Sequence, residues 1–162
     1  MTSTGGHARC LLGGTFDRLH DGHKDLLRAG LEAAAHLEVH ITTDQMALAK
    51  DHRIQPVEDR MAAVEDALRS IRETGWSLHM LEDAFGPAPR HPTADALVVS
   101  PETRTGGEAI NRKRAEGGFE PLVLIEVQHR TNDEGTILSS TAIRNGHMDT
   151  KGGAWIASEW RE

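Results

Sequence analysis

Five short apolar runs separated by longer stretches with helical spacing constrain this chain more than any other feature. The first run, Ala8-Arg9-Cys10-Leu11-Leu12, closes on Gly13-Gly14 and reads as a buried strand ending in a turn. From Gly22 to about His36, Leu26, Leu27, Leu31 and Ala34 recur at helical spacing. Leu37 to Thr42 alternates as a second strand. Pro56 then precedes a helix with Val57, Met61, Val64, Leu68 and Ile71 on one face and Gly75 as its stop. Ser77–Leu81 and Ala96–Val99 read as the third and fourth strands, with a proline-rich loop at 84–94 between them. A charged helix is expected from about Gly107 to Glu116, with Arg112, Lys113 and Arg114 on a solvated face. Leu122–Val127 is the fifth strand and the one expected to be most clearly buried. Ser139–Asn145 reads as one or two helical turns. Strands alternating with helices imply right-handed crossovers and a parallel sheet covered on both faces. Ligands of such sheets bind beyond the carboxyl ends of the strands.

Length and charge narrow the function classes. The 162 residues suit one domain, 1–162, with residues 1–7 and the tail 150–162 peripheral. A formal charge of −7 argues against a broad nucleic-acid face. No apolar stretch is long enough for a signal peptide or a membrane span. Cys10 is the single cysteine, which excludes an intramolecular disulfide and suits a reducing, cytoplasmic setting.

The segment Gly13–His23, GGTFDRLHDGH, follows a strand and opens a helix. Glycine there lets backbone approach a phosphate, and the helix start offers N–H groups and a positive dipole end to an anion. His20 and His23, three apart, can share a face; their imidazoles and the Thr15 hydroxyl are hydrogen-bond donors for phosphate oxygens. Gly22 removes a side chain where a base or ribose could lie. A Gly-Gly turn before a helix is by itself an ordinary connection, and a lone histidine is by itself incidental. A zinc pair on a helix favours i, i+4 spacing with a nearby acidic base, which this segment lacks.

Taken together, Gly14, Thr15, Phe16, Asp17, His20, Gly22 and His23 resemble the HxGH motif of the nucleotidylyltransferase superfamily with its preceding G-T-F-D. Leu138–Gly146, LSSTAIRNG, resembles the I-S-S-T-x-x-R motif of the same superfamily, although Ala142 and His147 differ from the usual neighbours of that motif. Val98–Asn111, VVSPETRTGGEAIN, resembles a segment of the archaeal and eukaryotic phosphopantetheine adenylyltransferase family. The resemblance spans roughly residues 8–146.

It implies an α/β, Rossmann-like, doubly wound sandwich with a five-stranded, mainly parallel sheet. It also implies adenylyl transfer from ATP to 4'-phosphopantetheine. Gly14, Thr15, Phe16, His20, Gly22, His23, Arg104, Ser139, Ser140, Thr141 and Arg144 would bind nucleotide; His23, Thr15 and Lys50 would act in catalysis. Mg²⁺ would sit mainly on the ATP phosphates, with no protein ligand assigned. The acceptor phosphate, with a second pKa of about 6, is already nucleophilic near neutral pH, so no protein nucleophile is required. Two other readings remain open: a nucleotidylyltransferase of the FMN or glycerol-phosphate type, and a nucleotide-binding sensor without activity. No P-loop, G-x-G-x-x-G, H-E-x-x-H or G-x-S-x-G pattern is present.

Overall fold

The computed structural model describes residues 6–49 and 51–128. The chain order is β1 (His7–Gly14), α1 (Asp21–Ala33), β2 (Ala34–Thr42), α2 (Asp44–Leu48), α3 (Val57–Ile71), β3 (Trp76–Leu81), β4 (Ala96–Val99), α4 (Arg104–Glu116) and β5 (Val123–Glu126). A 3-10 turn, Ala88–Arg90, interrupts the proline-rich connection before β4. The five strands of the described residues are all parallel and lie in the order β3-β2-β1-β4-β5. The chain builds outward from β1 in one direction, then returns to lay β4 on its other side. That places a topological switch point between β1 and β4, where ligand crevices open in such sheets.

Strand alternation sorts the apolar residues into two cores. Cys10, Leu12, Leu37, Val39, Ile41, Ala96 and Val98 join Leu27, Leu31, Val64 and Leu68 of α1 and α3. Leu11, Leu97 and Val99 face the other way, with Ile110 of α4 and Leu122. Gly107 lets α4 lie close on the sheet: a Cβ there would stand 3.1 Å from Leu124 and 3.2 Å from Val99.

Three expectations are corrected. The first helix ends at Ala33 rather than near His36, and the chain enters β2 without a loop. Arg72 makes that stop possible by donating to the carbonyls of Leu31 (2.9 Å) and Ala35 (3.1 Å). The fifth strand is not the most buried: β5 lies at an edge of the sheet of described residues and Val123 is 51% exposed. Arg114 is not on a solvated face. It is buried, and its guanidinium donates to the carbonyls of Glu120, Ala88 and His91, pinning the 3-10 turn to α4. No helix among the described residues is long and apolar enough to cross a membrane.

Candidate active site at the first strand-to-helix turn

The turn between β1 and α1 gathers Gly14, Thr15, Phe16, His20, Gly22 and His23 at the carboxyl end of the central strand. Its backbone is unusual. Phe16 (φ 56°) and Arg18 (φ 47°) both occupy the left-handed region, which disfavours side chains. Tertiary clips hold them. The Arg18 N–H donates to Gln55 Oε1 at 2.7 Å, and the Gln55 N–H donates to Asp17 Oδ1 at 2.7 Å. The Arg18 guanidinium bridges Asp17 (2.7 Å) and the Arg53 carbonyl (2.9 Å). Asp17 is buried, so its carboxylate acts as an internal lock for the turn. Gly14 serves the same shape: a Cβ there would come within 3.1 Å of the Phe16 ring. That ring is itself buried and flanks His23 at 5.3 Å between centroids, so Phe16 supports the site from beneath.

His20 is the N-cap of α1 and forms a reciprocal capping box with His23. The His23 N–H donates to His20 Nδ1 (3.3 Å), and the His20 N–H donates to His23 Nδ1 (3.1 Å). An Nδ1 that accepts a backbone proton carries none itself, so each neutral ring keeps its proton on Nε2. The rings stack with centroids 3.7 Å apart and planes tilted by 17°. Burial pushes His20 down to about 4 and is partly offset by Asp21 and Asp25. Burial, reinforced by His20, holds His23 well below the ordinary imidazole value. Near neutral pH the helix start therefore carries two uncharged imidazoles, each with one Nε2–H donor.

Arg60 was not singled out by the sequence reading. Its guanidinium is fully buried and links the turn to the end of β2. Nε donates to the Gln55 carbonyl (2.8 Å), Nη2 to Asp44 (3.0 Å), and Nη1 to the carbonyls of Thr15 (2.9 Å) and Thr42 (2.8 Å). The sequence did carry a signal, because Arg60 lies three residues after Val57 and four before Val64, on the inward stripe of α3.

A cavity of about 270 Å³ opens beside Gly13, between the ends of β1 and β4 and the start of α4. Leu81, Phe85, Val99 and Ile110 make it mostly apolar, and His40 and Glu102 bring polar atoms to it. Behind His40 lies a polar cluster that the sequence reading also missed. Glu38 accepts from Arg9 (2.6 Å) and from Nε2 of His91 (2.8 Å) and of His40 (3.0 Å). Burial raises the Glu38 pKa, but the hydrogen bonds from His91, Arg9 and His40 outweigh it and hold the carboxyl at about 2.

The sign of that shift fixes a pH dependence. Relative to its ordinary value of 4.5, ionised Glu38 adds stability above pH 4.5 that is lost as pH falls toward 2. We expect Glu38→Gln to lose roughly 1.5–3 kcal/mol at pH 7, with the gap to wild type shrinking below pH 4.5 in denaturant titrations. A gap that stays constant from neutral to acid pH would contradict this account of the cluster.

Arg104 opens α4 at the same end of the sheet and pairs with Glu126 at 3.2 Å. The Ser100–Thr103 turn before it is closed by the Ser100 N–H donating to Thr103 Oγ1 (2.8 Å) and the Thr103 N–H to Ser100 Oγ (3.3 Å). Lys50, Ser139, Ser140, Thr141 and Arg144 lie outside the described residues. Burial pushes the Cys10 thiol up to about 12, which marks it as a core residue and not a nucleophile.

The parallel sheet, the crevice at its switch point and the His-x-x-His helix start together define a nucleotidyltransferase-type α/β domain. The chain belongs to the cytidylyltransferase-like family, which matches residues 11–146, and within it to the phosphopantetheine adenylyltransferases. The protein of that name from Methanothermobacter thermautotrophicus is 35% identical over 141 residues, covering 87% of this chain and 85% of the relative. That of Methanopyrus kandleri is 34% identical over 154 residues, covering 92% and 96%. Among solved structures, a protein of unknown function from Archaeoglobus fulgidus is similar with a TM-score of 0.68 and 28% identity, covering 74% of this chain and 88% of that one. A lipopolysaccharide core biosynthesis protein from Thermoplasma volcanium, with a TM-score of 0.58 and 17% identity over 75% of this chain and 97% of that one, shares the fold.

Proposed function

We propose that the chain transfers the adenylyl group of ATP to 4'-phosphopantetheine, giving dephospho-coenzyme A and pyrophosphate. The observation that carries this reading is the pair of neutral imidazoles locked at the start of α1, at the carboxyl end of the central strand. The family and the relatives named above supply the acceptor.

In this reading the acceptor phosphate attacks the α-phosphorus in line. A new P–O bond forms to the acceptor, and the bond from the α-phosphorus to the bridging oxygen breaks as pyrophosphate leaves. The Nε2–H of His23 and the Thr15 hydroxyl donate to oxygens on the α-phosphorus. His20 fixes the ring of His23 and adds a second Nε2–H donor beside it. Neutral donors suit this role, because they polarise phosphate oxygens without surrendering a proton to them. Catalysis is then positioning plus charge stabilisation. The apolar cavity offers a seat for the acceptor's elongated arm, with His40 and Glu102 as polar contacts.

The donors on the β1–α1 turn suit anions and not cations. Mg²⁺ therefore enters this proposal bound through the ATP phosphates, where it would neutralise their charge. Lys50, Ser139, Ser140, Thr141, Arg144 and Arg104 are proposed to hold the outer phosphates or approach them. A cytoplasmic location accords with the reaction.

The test is product identification. Purified protein with Mg²⁺, ATP and 4'-phosphopantetheine should release pyrophosphate and dephospho-coenzyme A in equal amounts. Turnover with CTP and glycerol phosphate, or with FMN as acceptor, and none with phosphopantetheine, would replace this function by a sister reaction. ATP binding without any product would reduce the domain to a sensor.

A further inference from the structure

We infer that Thr42 and Arg60 fix the direction in which Thr15 donates, which makes Thr42 a positioning residue for adenylyl transfer. The inference rests on the reading of Thr15 as a phosphate contact. A threonine hydroxyl is a rotor: it can turn its proton or a lone pair toward a neighbouring anion, and only the proton attracts it.

Two buried groups, Arg60 and Thr42, remove that freedom here. Arg60 has donors and no acceptor, and its side chain has no solvent exposure. Its Nη1 lies 3.3 Å from Thr42 Oγ1 and shares with it one of the two protons it gives to the Thr15 and Thr42 carbonyls, so the Thr42 hydroxyl accepts on that side. Thr42 is itself buried, and its one proton is donated to Thr15 Oγ1 at 3.1 Å. Thr15 thus receives a proton from Thr42 and must turn its own away. In the reverse arrangement Thr42 Oγ1 would accept from both Arg60 and Thr15, and the buried Thr42 proton would lose the acceptor it has in Thr15 Oγ1. The chain from Arg60 to Thr42 to Thr15 therefore runs one way, from the buried cation toward the turn that holds the histidines.

Thr42 can be tested without dismantling this corner of the fold. Arg60 also donates to the backbone carbonyls of Thr15 and Thr42, and those bonds survive a change in the Thr42 side chain. Valine keeps the shape of threonine and removes the hydroxyl. Thr42→Val and Thr42→Ser are made in the wild-type chain, and Thr42→Val also in a Thr15→Val chain. Pyrophosphate release and melting temperature are then measured on each.

In the wild-type chain, Thr42→Val should lower kcat roughly 3–10-fold, the span expected for one neutral hydrogen bond. Thr42→Ser should recover most of that loss. With Thr15 already valine, Thr42→Val should lower kcat no further, because it acts only through the Thr15 hydroxyl. An equal fold-loss in both backgrounds would overturn the relay and leave Thr42 a packing residue. So would a wild-type kcat in Thr42→Val. Thr15→Val with undiminished kcat would overturn the inference at its other end, while dephospho-coenzyme A formation by the wild-type chain would leave the proposed reaction standing.

Discussion

His23→Ala is expected to lower kcat by about 10²–10³-fold, the loss typical of removing one preorganised donor to a developing charge. The locked Nε2–H of His23 interacts most strongly as the bond to pyrophosphate stretches, so its removal should act mainly on the transition state. ATP affinity should change far less, since the helix start and His20 remain. A structural contribution exists and has a definite size. His23 Nδ1 accepts the His20 N–H at 3.1 Å, so the variant also loses half of a capping box. Such caps contribute about 0.5–2 kcal/mol, a small part of the roughly 5–15 kcal/mol of an ordinary domain. Melting curves and steady-state kinetics on one preparation separate the two contributions. A folded His23→Ala protein with near-normal kcat would remove His23 from the chemistry.

The second large effect is on stability. Arg60→Met keeps most of the buried stem and deletes the guanidinium. The carbonyls of Gln55, Thr15 and Thr42, the Thr42 hydroxyl and Asp44 then lose a donor together. Buried acceptors left without partners cost about 1–3 kcal/mol each, so losing several together should cost roughly 3–5 kcal/mol; Asp44, whose side chain is 43% exposed, can turn to water. For a chain of this size that corresponds to a fall in Tm of about 10 °C or more. Arg60→Lys should recover only part of it, because a single ammonium cannot span acceptors on two strand ends and α2. A Tm within about 2 °C of wild type for Arg60→Met would show that this corner is held by packing alone.

What could be read from the sequence follows the physics of each element. The fourth strand, Ala96–Val99, and the helix after Pro56 were legible because their apolar spacing is clean and their boundaries are punctuated. The site turn was legible through its motif, since Gly14, Thr15, His20 and His23 lie within ten consecutive residues. Three things were hidden for a common reason: they depend on contacts between distant parts of the chain. The early end of α1 depends on Arg72, 41 residues beyond the Leu31 carbonyl it caps. The burial of Arg114 depends on carbonyls 23 and 26 residues before it. The Glu38 cluster joins Arg9, His40 and His91 from β1, β2 and the loop before β4. Charged residues in such positions look like surface until the partners that satisfy them are known. The edge position of β5 was hidden for another reason, because a short apolar run does not reveal its place in the sheet order.

The claim on which the catalytic account depends is that His20 and His23 stand as neutral Nε2–H donors at the start of α1. Long-range proton–nitrogen correlation spectra of the histidine rings, recorded on the free protein, report that state directly. The account predicts the Nε2–H tautomer for both rings from pH 8 down to about pH 5, with His20 titrating only near 4. A ring that protonates near the ordinary value of 6.5, or one that carries its proton on Nδ1, would contradict it.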